Sequence, residues 1–163
     1  MSQKIKNALV SLSDKSGIEK ILRVLKKYKI NIISSGGTYK EIKKLGYNCT
    51  EISKYTKFSE MLDGRIKTLH PKVHAGILSK RSNKKHGREM SKKKFNYIDL
   101  VVVNFYPFQE TMQKTKNPKI IVENIDIGGP TMVRAAAKNF RDVSIITDKK
   151  DYPYFINELN KNK

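Results

Sequence analysis

The sequence predicts one α/β domain with a doubly wound, mainly parallel central sheet flanked by helices. Short apolar segments typical of buried strands alternate with longer segments whose apolar residues recur at helical spacing. The chain has 163 residues, a length at which one domain can bury a core of its own. We therefore expect residues 1–163 to form a single domain.

The first part of the chain predicts a strand, a helix, a second strand and a second helix. Residues 7–13 are typical of a buried strand, and Asp14 is the candidate N-cap of the helix that follows. That helix has apolar residues at i, i+3, i+4 and i+7, namely Ile18, Ile21, Leu22 and Leu25. Residues 30–34 predict the second strand, and Gly46 is the predicted C′ residue of the second helix. Strands joined through a helix in this way pair in parallel.

The centre of the chain predicts less regular structure. A strand near residues 49–52 precedes an irregular region from residue 53 to about residue 79, and irregular regions of that length are usually functional or disordered. The run from Lys80 to Lys94 has eight basic side chains and one acid, which predicts a solvated loop.

The last part of the chain predicts two more strands and two more helices. The nearly continuous apolar segment 98–104 indicates a strand covered on both faces, and residues 143–147 predict another. One helix should follow the turn at Gly128-Gly129-Pro130, with its apolar face formed by Val133, Ala136, Ala137 and Phe140. A final amphipathic helix contains Tyr152, Phe155, Ile156 and Leu159.

The charge of the chain raises the question of nucleic acid. The formal net charge is +19, and basic side chains supply most non-specific affinity for DNA or RNA. However, 28 of the 34 basic residues are lysines, whereas bidentate contacts to bases and phosphates favour arginine. The basic run also lacks the interleaved aromatic residues on which bases stack. We therefore expect no nucleic-acid partner.

Cysteine content and hydropathy bear on the compartment. Cys49 is the only cysteine, which excludes an intramolecular disulfide framework and fits a reducing compartment. No apolar run approaches the length of about 18 residues that a membrane span needs. These observations favour a cytoplasmic protein without a membrane partner.

Polar clusters follow three of the predicted strands, and ligands of open parallel sheets bind at the carboxyl ends of strands. The clusters are Ser13-Asp14-Lys15, Ser35-Gly36-Gly37-Thr38 and Asn104-Phe105-Tyr106. The glycine pair lets backbone N–H groups approach an anion, and the helix that follows adds its dipole. The second cluster therefore predicts a phosphate cradle, with a plain tight turn as the alternative.

The irregular region contains candidate cations and imidazoles. In an extended segment Arg65 and Lys67 would project to the same side, where they could bind an anion together. Two ordinary surface cations would have the same spacing in the sequence. His70 and His74 have the i, i+4 spacing of metal ligands, and Pro71 could begin a helix there. Since no third ligand stands at a suitable offset, we expect no metal.

Asp126 and Lys138 are two further candidates. Asp126 stands between apolar neighbours, and Lys138 ends a segment of small residues. The two could be partly buried and paired, with perturbed proton affinities. A structural ion pair is the competing interpretation.

Taken together, these motifs closely resemble the inosine monophosphate cyclohydrolase domain of bifunctional purine biosynthesis proteins. The matching segments span almost the whole chain, and they are residues 11–17, 33–38, 61–78, 103–108 and 126–139. The resemblance implies a methylglyoxal-synthase-like, Rossmann-like fold. It also implies a reaction in which the formamido group of 5-formamidoimidazole-4-carboxamide ribotide closes onto the carboxamide nitrogen, losing water to give inosine 5′-monophosphate.

The resemblance further implies which residues act. The catalytic set would be Lys67, Tyr106, Asp126 and Lys138. The substrate-binding set would be Ser13, Asp14, Lys15, Ser35, Gly36, Gly37, Thr38, Arg65, Ile66, Thr68, Asn104 and Ile127. In this hypothesis Asp126 accepts or orients the carboxamide proton, Lys138 and Lys67 stabilise the oxyanion, and Tyr106 assists proton transfer to the departing hydroxyl.

The expected partner is a small purine ribotide, and the family uses no cofactor or metal. Homodimerisation is common in the family. Its usual chain continues into a formyltransferase domain, which makes the substrate and which we expect to be absent here. Three rival functions remain open: a methylglyoxal-synthase-like lyase, a non-catalytic nucleotide-sensing module and a basic nucleic-acid binder.

Overall fold

The centre of the molecule is a parallel sheet. In this computed structural model, residues 4–161 are described, and they build five strands that all run parallel in the order β3-β2-β1-β4-β5. The strands are β1 (Asn7–Ser11), β2 (Asn31–Ser34), β3 (Thr50–Glu51), β4 (Leu100–Val103) and β5 (Ser144–Ile146). In the register, Leu9 lies between Ile33 of β2 and Val101 of β4. The predicted doubly wound α/β domain is confirmed.

Helices cover both faces of the sheet. The α-helices of the described residues are α1 (Ile18–Lys27), α2 (Gly36–Lys44), α3 (Ile52–Thr56), α4 (Pro71–Leu78), α5 (Lys84–Lys93), α6 (Phe108–Lys114), α7 (Pro118–Glu123), α8 (Gly128–Lys138) and α9 (Tyr152–Lys161). None of them combines the length and the apolarity that a bilayer crossing requires.

Side chains alternate along each strand and so divide the core into two halves. Ala8 and Val10 of β1 point to the half that contains the apolar faces of α1 and α9. Leu9 points to the other half, which contains residues of α3, α4 and α8. The apolar spacing of α1 and α9 is confirmed, since Ile21, Leu22 and Leu25 are buried, as are Tyr152 and Leu159.

The strand order places a crevice next to β1. The chain moves outward from β1 through β2 to β3, and it then returns to the other side of β1 for β4 and β5. The connections therefore diverge at the carboxyl ends of β1 and β4. Ligands of open parallel sheets bind at such a switch point.

Several local predictions need correction. Asp14 is not the N-cap of α1, because α1 begins at Ile18 and Gly17 occupies the N-cap position with a φ of 74°. The region 53–79 is not irregular throughout, since it contains most of α3 and all of α4, which begins at Pro71. Gly46 does follow α2 with a φ of 77°, as predicted for C′.

Two further predictions about helices are wrong. The lysine-rich run is not a loop, because residues 84–93 form α5, whose N-cap Asn83 accepts hydrogen bonds from the backbone of Lys85 and His86. In α8 the buried face is formed by Met132, Ala135 and Ala136. Ala137 is exposed, and Phe140 lies beyond the helix end and is 72% exposed.

Candidate functional site

A cavity of about 630 Å³ opens at the carboxyl ends of β1, β2 and β4. The loops after these strands form one side of it, and the segment 63–68 together with the start of α8 forms the other. The cavity therefore occupies the switch point, where the topology of the sheet predicts a ligand.

The phosphate cradle that the sequence predicts lies in this cavity. Ser35, Gly36, Gly37 and Thr38 all line it, and α2 begins at Gly36, whose φ of 52° favours glycine. The first N–H groups of a helix have no partners within the helix, and they carry the positive end of its dipole. The start of α2 therefore has the two features that favour an anion, as the sequence predicts for this segment.

The sequence places Thr38 in the phosphate cradle, but its hydroxyl forms hydrogen bonds with the backbone of Leu12. Its Oγ1 accepts a hydrogen bond from the Leu12 backbone N–H at 2.9 Å and donates one to the Leu12 carbonyl at 2.9 Å. The hydroxyl therefore ties α2 to the end of β1, and Thr38 is 3% exposed.

The loop after β1 contributes Ser13 and Lys15 to the cavity. Lys15 Nζ donates to the Ser13 carbonyl at 3.1 Å, and it lies 3.6 Å from the position of a methyl group built on Gly37. Asn104, at the end of β4, holds this loop: its Oδ1 accepts from the Ser13 N–H at 2.6 Å, and its Nδ2 donates to the Asp14 carbonyl at 2.7 Å.

Asp14 lies outside the cavity lining. Its carboxylate accepts hydrogen bonds from the backbone and side chain of Ser16, and it pairs with Lys149 at 2.9 Å. The Ser16 hydrogen bond and the Lys149 ammonium hold the pKa of Asp14 well below its usual range. Asp14 therefore shapes the loop rather than facing a ligand.

The segment after α3 is turned rather than extended, which corrects the expectation for Arg65 and Lys67. Residues 62–64 form a short 3-10 helix, and turns continue to Lys67. The two cations nevertheless line the same cavity, as does the buried Thr68. Each has a carboxylate partner: Arg65 pairs with Glu123, and Lys67 pairs with Glu60 at 3.2 Å.

Ile66 faces elsewhere. It lines a smaller cavity of about 280 Å³, which lies beside the first and shares Gly36 and Lys67 with it. That cavity is largely apolar, with Ile52, Phe58 and Leu69 among its walls.

Asp126 and Lys138 are not paired. Asp126 lines the cavity, and its Oδ1 accepts a hydrogen bond from the Gly129 N–H at 2.8 Å, in the first turn of α8. Lys138 is the last residue of α8 and is exposed. Lys138 stands ten positions after Gly128 in the helix, a rise of about 15 Å. Lys138 therefore lies outside the cavity lining.

Close packing holds the start of α8 against the cavity. A methyl group on Gly129 would lie 2.5 Å from Asp126 Oδ2, and one on Gly128 would lie 2.5 Å from Thr68 Oγ1. A side chain at either position would therefore displace Asp126 or Thr68, since real Cβ atoms do not approach other atoms so closely.

The segment 105–127 forms the outer wall. Tyr106, which is 51% exposed, and Ile127 line the cavity, as the sequence predicts. Val122, Glu123 and Ile125 also line it. The small helices α6 and α7 of this segment bury none of their residues.

The two histidines have separate environments. His70 is the N-cap of α4, and its Nδ1 accepts a hydrogen bond from the Lys72 N–H at 3.0 Å. Burial lowers the pKa of His74 below its usual value of 6.5. Within residues 4–161 no three His, Cys, Asp or Glu side chains are grouped so that they could hold a metal ion.

Comparison with known proteins agrees with this geometry. The sequence pattern described as "MGS-like domain" matches residues 17–131. The chain belongs to the MGS-like domain family. The match includes the cradle, the segment 63–68, Tyr106 and Asp126.

Curated relatives of this MGS-like domain are purine biosynthesis proteins. The chain is 53% identical over 157 residues to the bifunctional purine biosynthesis protein PurH of Clostridium perfringens (strain SM101 / Type A), covering 96% of this chain and 31% of that protein. It is 50% identical over 160 residues to PurH of Acetivibrio thermocellus, covering 98% of this chain and 31% of that protein. The chain thus spans about a third of the length of these relatives.

A solved structure has the same architecture. The crystal structure of ForH matches with a TM-score of 0.84 and 31% sequence identity, covering 97% of this chain and 81% of that chain.

In this MGS-like domain, sequence reasoning missed several residues that line the cavity or pair with its cations. Val122 and Ile125 belong to a segment with no buried face, so no periodicity marks them. Glu123 matters because it pairs with Arg65, and Glu60 matters because it pairs with Lys67. Ion pairs between separate segments leave no local pattern in the sequence. Gly64 and Gly128 stand in the motifs that carry the family resemblance, which was the available signal.

Proposed function

We propose that this domain is an inosine monophosphate cyclohydrolase. The observation that carries the proposal is that one cavity is lined both by an anion cradle, at the start of α2, and by Asp126 and Tyr106. Such a cavity suits a phosphorylated substrate whose reacting groups lie away from the phosphate. The names of the curated relatives place proteins with similar sequences in purine biosynthesis.

In this proposal the ribotide phosphate binds the N–H groups of Gly36, Gly37 and Thr38. The ammonium group of Lys15 lies close to Gly37, so it neutralises the phosphate charge. Ser13 and Ser35 supply hydroxyl groups at the same end of the cavity. Arg65 and Thr68 contact the nucleotide from the facing segment.

The reaction is a ring closure within one molecule. The carboxamide nitrogen forms a bond to the formyl carbon. The carboxamide nitrogen and the formamido nitrogen each give up one proton, the formyl oxygen takes up both, and the carbon–oxygen bond breaks as water leaves. Asp126 accepts or orients the carboxamide proton, while the Lys67 ammonium stabilises negative charge on the formyl oxygen. Tyr106, with the backbone of Asn104, assists proton transfer to the departing hydroxyl.

Lys138 is not among the residues proposed to act in the ring closure within one chain, because it lies at the far end of α8, outside the cavity lining. The remaining contribution is conformational. Val122, Ile125 and Ile127 form an apolar wall that excludes water and holds the formyl carbon near the amide nitrogen.

The wider setting is part of the proposal. The reaction changes no oxidation state, so it balances without a redox cofactor. The substrate is supplied by a formyltransferase, the domain acts in the cytoplasm, and its chain forms homodimers as other family members do. We propose no nucleic-acid or membrane partner.

The experiment that tests the function incubates the protein with the formyl ribotide and follows the ultraviolet absorbance of the purine product. We expect conversion by the wild-type chain and a large loss in Asp126→Asn. A lyase, a nucleotide-sensing module or a nucleic-acid binder would leave the formyl ribotide unchanged. Equal rates for Asp126→Asn and wild type would refute the role given to Asp126.

A further inference from the structure

The Lys67 ammonium occupies a narrow slot between two glycines. A methyl group built on Gly36 would lie 3.3 Å from Lys67 Nζ, and one built on Gly64 would lie 2.6 Å from it. Gly64 also has a φ of 83°, a conformation that favours glycine. A side chain at Gly64 would therefore clash with the lysine where it lies, and one at Gly36 would crowd it.

This slot is an unfavourable place for a cation. Gly36 is the first residue of α2, so the ammonium lies close to the partial positive charge of the helix N-terminus. Lys15 Nζ approaches the same helix end beside Gly37. Without compensation, these charges would push the Lys67 side chain out of the slot before any anionic ligand arrives.

Glu60 supplies the compensation. Its Oε1 lies 3.2 Å from Lys67 Nζ, and it is the carboxylate that pairs with Lys67 among residues 4–161. The same oxygen lies 2.8 Å from the position of a methyl group on Gly64, so it closes the slot from a third side. The Glu60 side chain is 51% exposed, and exposed ion pairs contribute little to global stability. The pair therefore does more for the position of the ammonium than for the fold.

We propose that Glu60 is a positioning residue that holds the Lys67 ammonium in the slot between Gly36 and Gly64, ready for the phosphorylated substrate. This inference rests on the proposed cyclohydrolase function. Lys67 stands at the boundary between the main cavity and the smaller apolar cavity. With Glu60 neutralised, the ammonium leaves the slot for solvent, and the reacting groups lose a preorganised cation.

The first test compares Glu60→Gln, which keeps the size of the side chain and removes its charge, with wild type. We expect kcat for cyclisation to fall on the order of 10-fold to 100-fold, the cost of a misplaced catalytic group. The urea midpoint should stay unchanged. Glu19→Gln is the matched control, because Glu19 forms an exposed pair with Arg23 on α1, away from the cavity, and it should keep the wild-type kcat.

A second pair of variants tests the slot. Gly64→Ala introduces a methyl group against the Lys67 side chain, whereas Gly46→Ala introduces one at a φ of 77° with nothing within 4 Å. Both strain the backbone, so a loss of stability should be common to the two. We expect the loss of kcat for Gly64→Ala alone.

A readout without turnover separates this inference from the proposed function. Acetylation of Lys67 by acetic anhydride, measured by peptide mass spectrometry, should be several-fold faster in Glu60→Gln than in wild type, because the amine leaves its confined slot. If wild type does not cyclise the formyl ribotide, the proposed function fails while this measurement still decides the position of Lys67. If wild type cyclises it and Glu60→Gln matches wild type in kcat and in Lys67 acetylation, the inference is overturned. A Glu60→Gln variant that only binds inosine 5′-monophosphate more tightly, with kcat unchanged, would also overturn it.

Discussion

Replacing Thr38 by valine should destabilise the protein strongly, because the Thr38 hydroxyl satisfies both backbone groups of Leu12. Valine keeps the β-branched shape, and it has a helix propensity close to that of threonine. The change leaves a buried N–H and a buried C=O without partners, and each costs about 1–3 kcal/mol. We therefore expect the free energy of unfolding to fall by about 2–6 kcal/mol.

Thr38→Ser is the matched control, since it keeps the hydroxyl and removes one buried methyl group, a loss of about 1 kcal/mol. Urea unfolding followed by far-ultraviolet circular dichroism measures both variants, with the slope m expected to stay constant. If Thr38→Val is as stable as Thr38→Ser, the Thr38 hydroxyl does not tie α2 to β1, and our reading of this residue as structural is refuted.

Three further predictions concern charge and position. Glu123→Gln releases Arg65 from its partner. Calorimetry should therefore show tighter binding of inosine 5′-monophosphate, by up to about fivefold, since the broken ion pair is exposed. Weaker binding would mean that Glu123 itself helps to hold the ligand. Lys138→Ala should leave the affinity for inosine 5′-monophosphate within about twofold of wild type, because Lys138 lies outside the cavity lining. A larger loss would mean that Lys138 contributes to the nucleotide-binding site. Burial lowers the pKa of His74 below 6.5, so the unfolded chain takes up this proton first as pH falls. The free energy of unfolding should therefore decline as pH falls below 6.5, and it should decline less in His74→Gln; identical pH profiles in urea unfolding would contradict the shift.

Much of the fold could be predicted from the sequence because its central strands β1, β2 and β4 are largely buried. The segment 98–104 is nearly continuous in apolar residues, and β4 lies at its centre with every residue buried. The helix α5 was missed because it buries only Met90. A lysine-rich helix with one buried residue has the composition of a solvated loop, and its N-cap Asn83 was the one local signal for it.

The candidate site was predictable where a motif acts locally, and it was not where distant segments meet. The cradle at Gly36 depends on the start of one helix, which the glycine pair indicates. The partnership of Glu60 with Lys67 depends on a turn that periodicity does not reveal, and an extended segment was assumed instead. Lys138 is a different case, since the length of the predicted helix already implied that it ends far from Asp126.

The measurement that tests the account most directly is the location of inosine 5′-monophosphate by amide chemical shifts of the labelled protein. We predict that the largest changes fall on the backbone amides of Gly36, Gly37 and Thr38, and that inosine, which lacks the phosphate, produces none of comparable size there. Largest changes on the basic helix α5, or equal responses to the nucleotide and to inosine, would contradict a phosphate cradle at the start of α2.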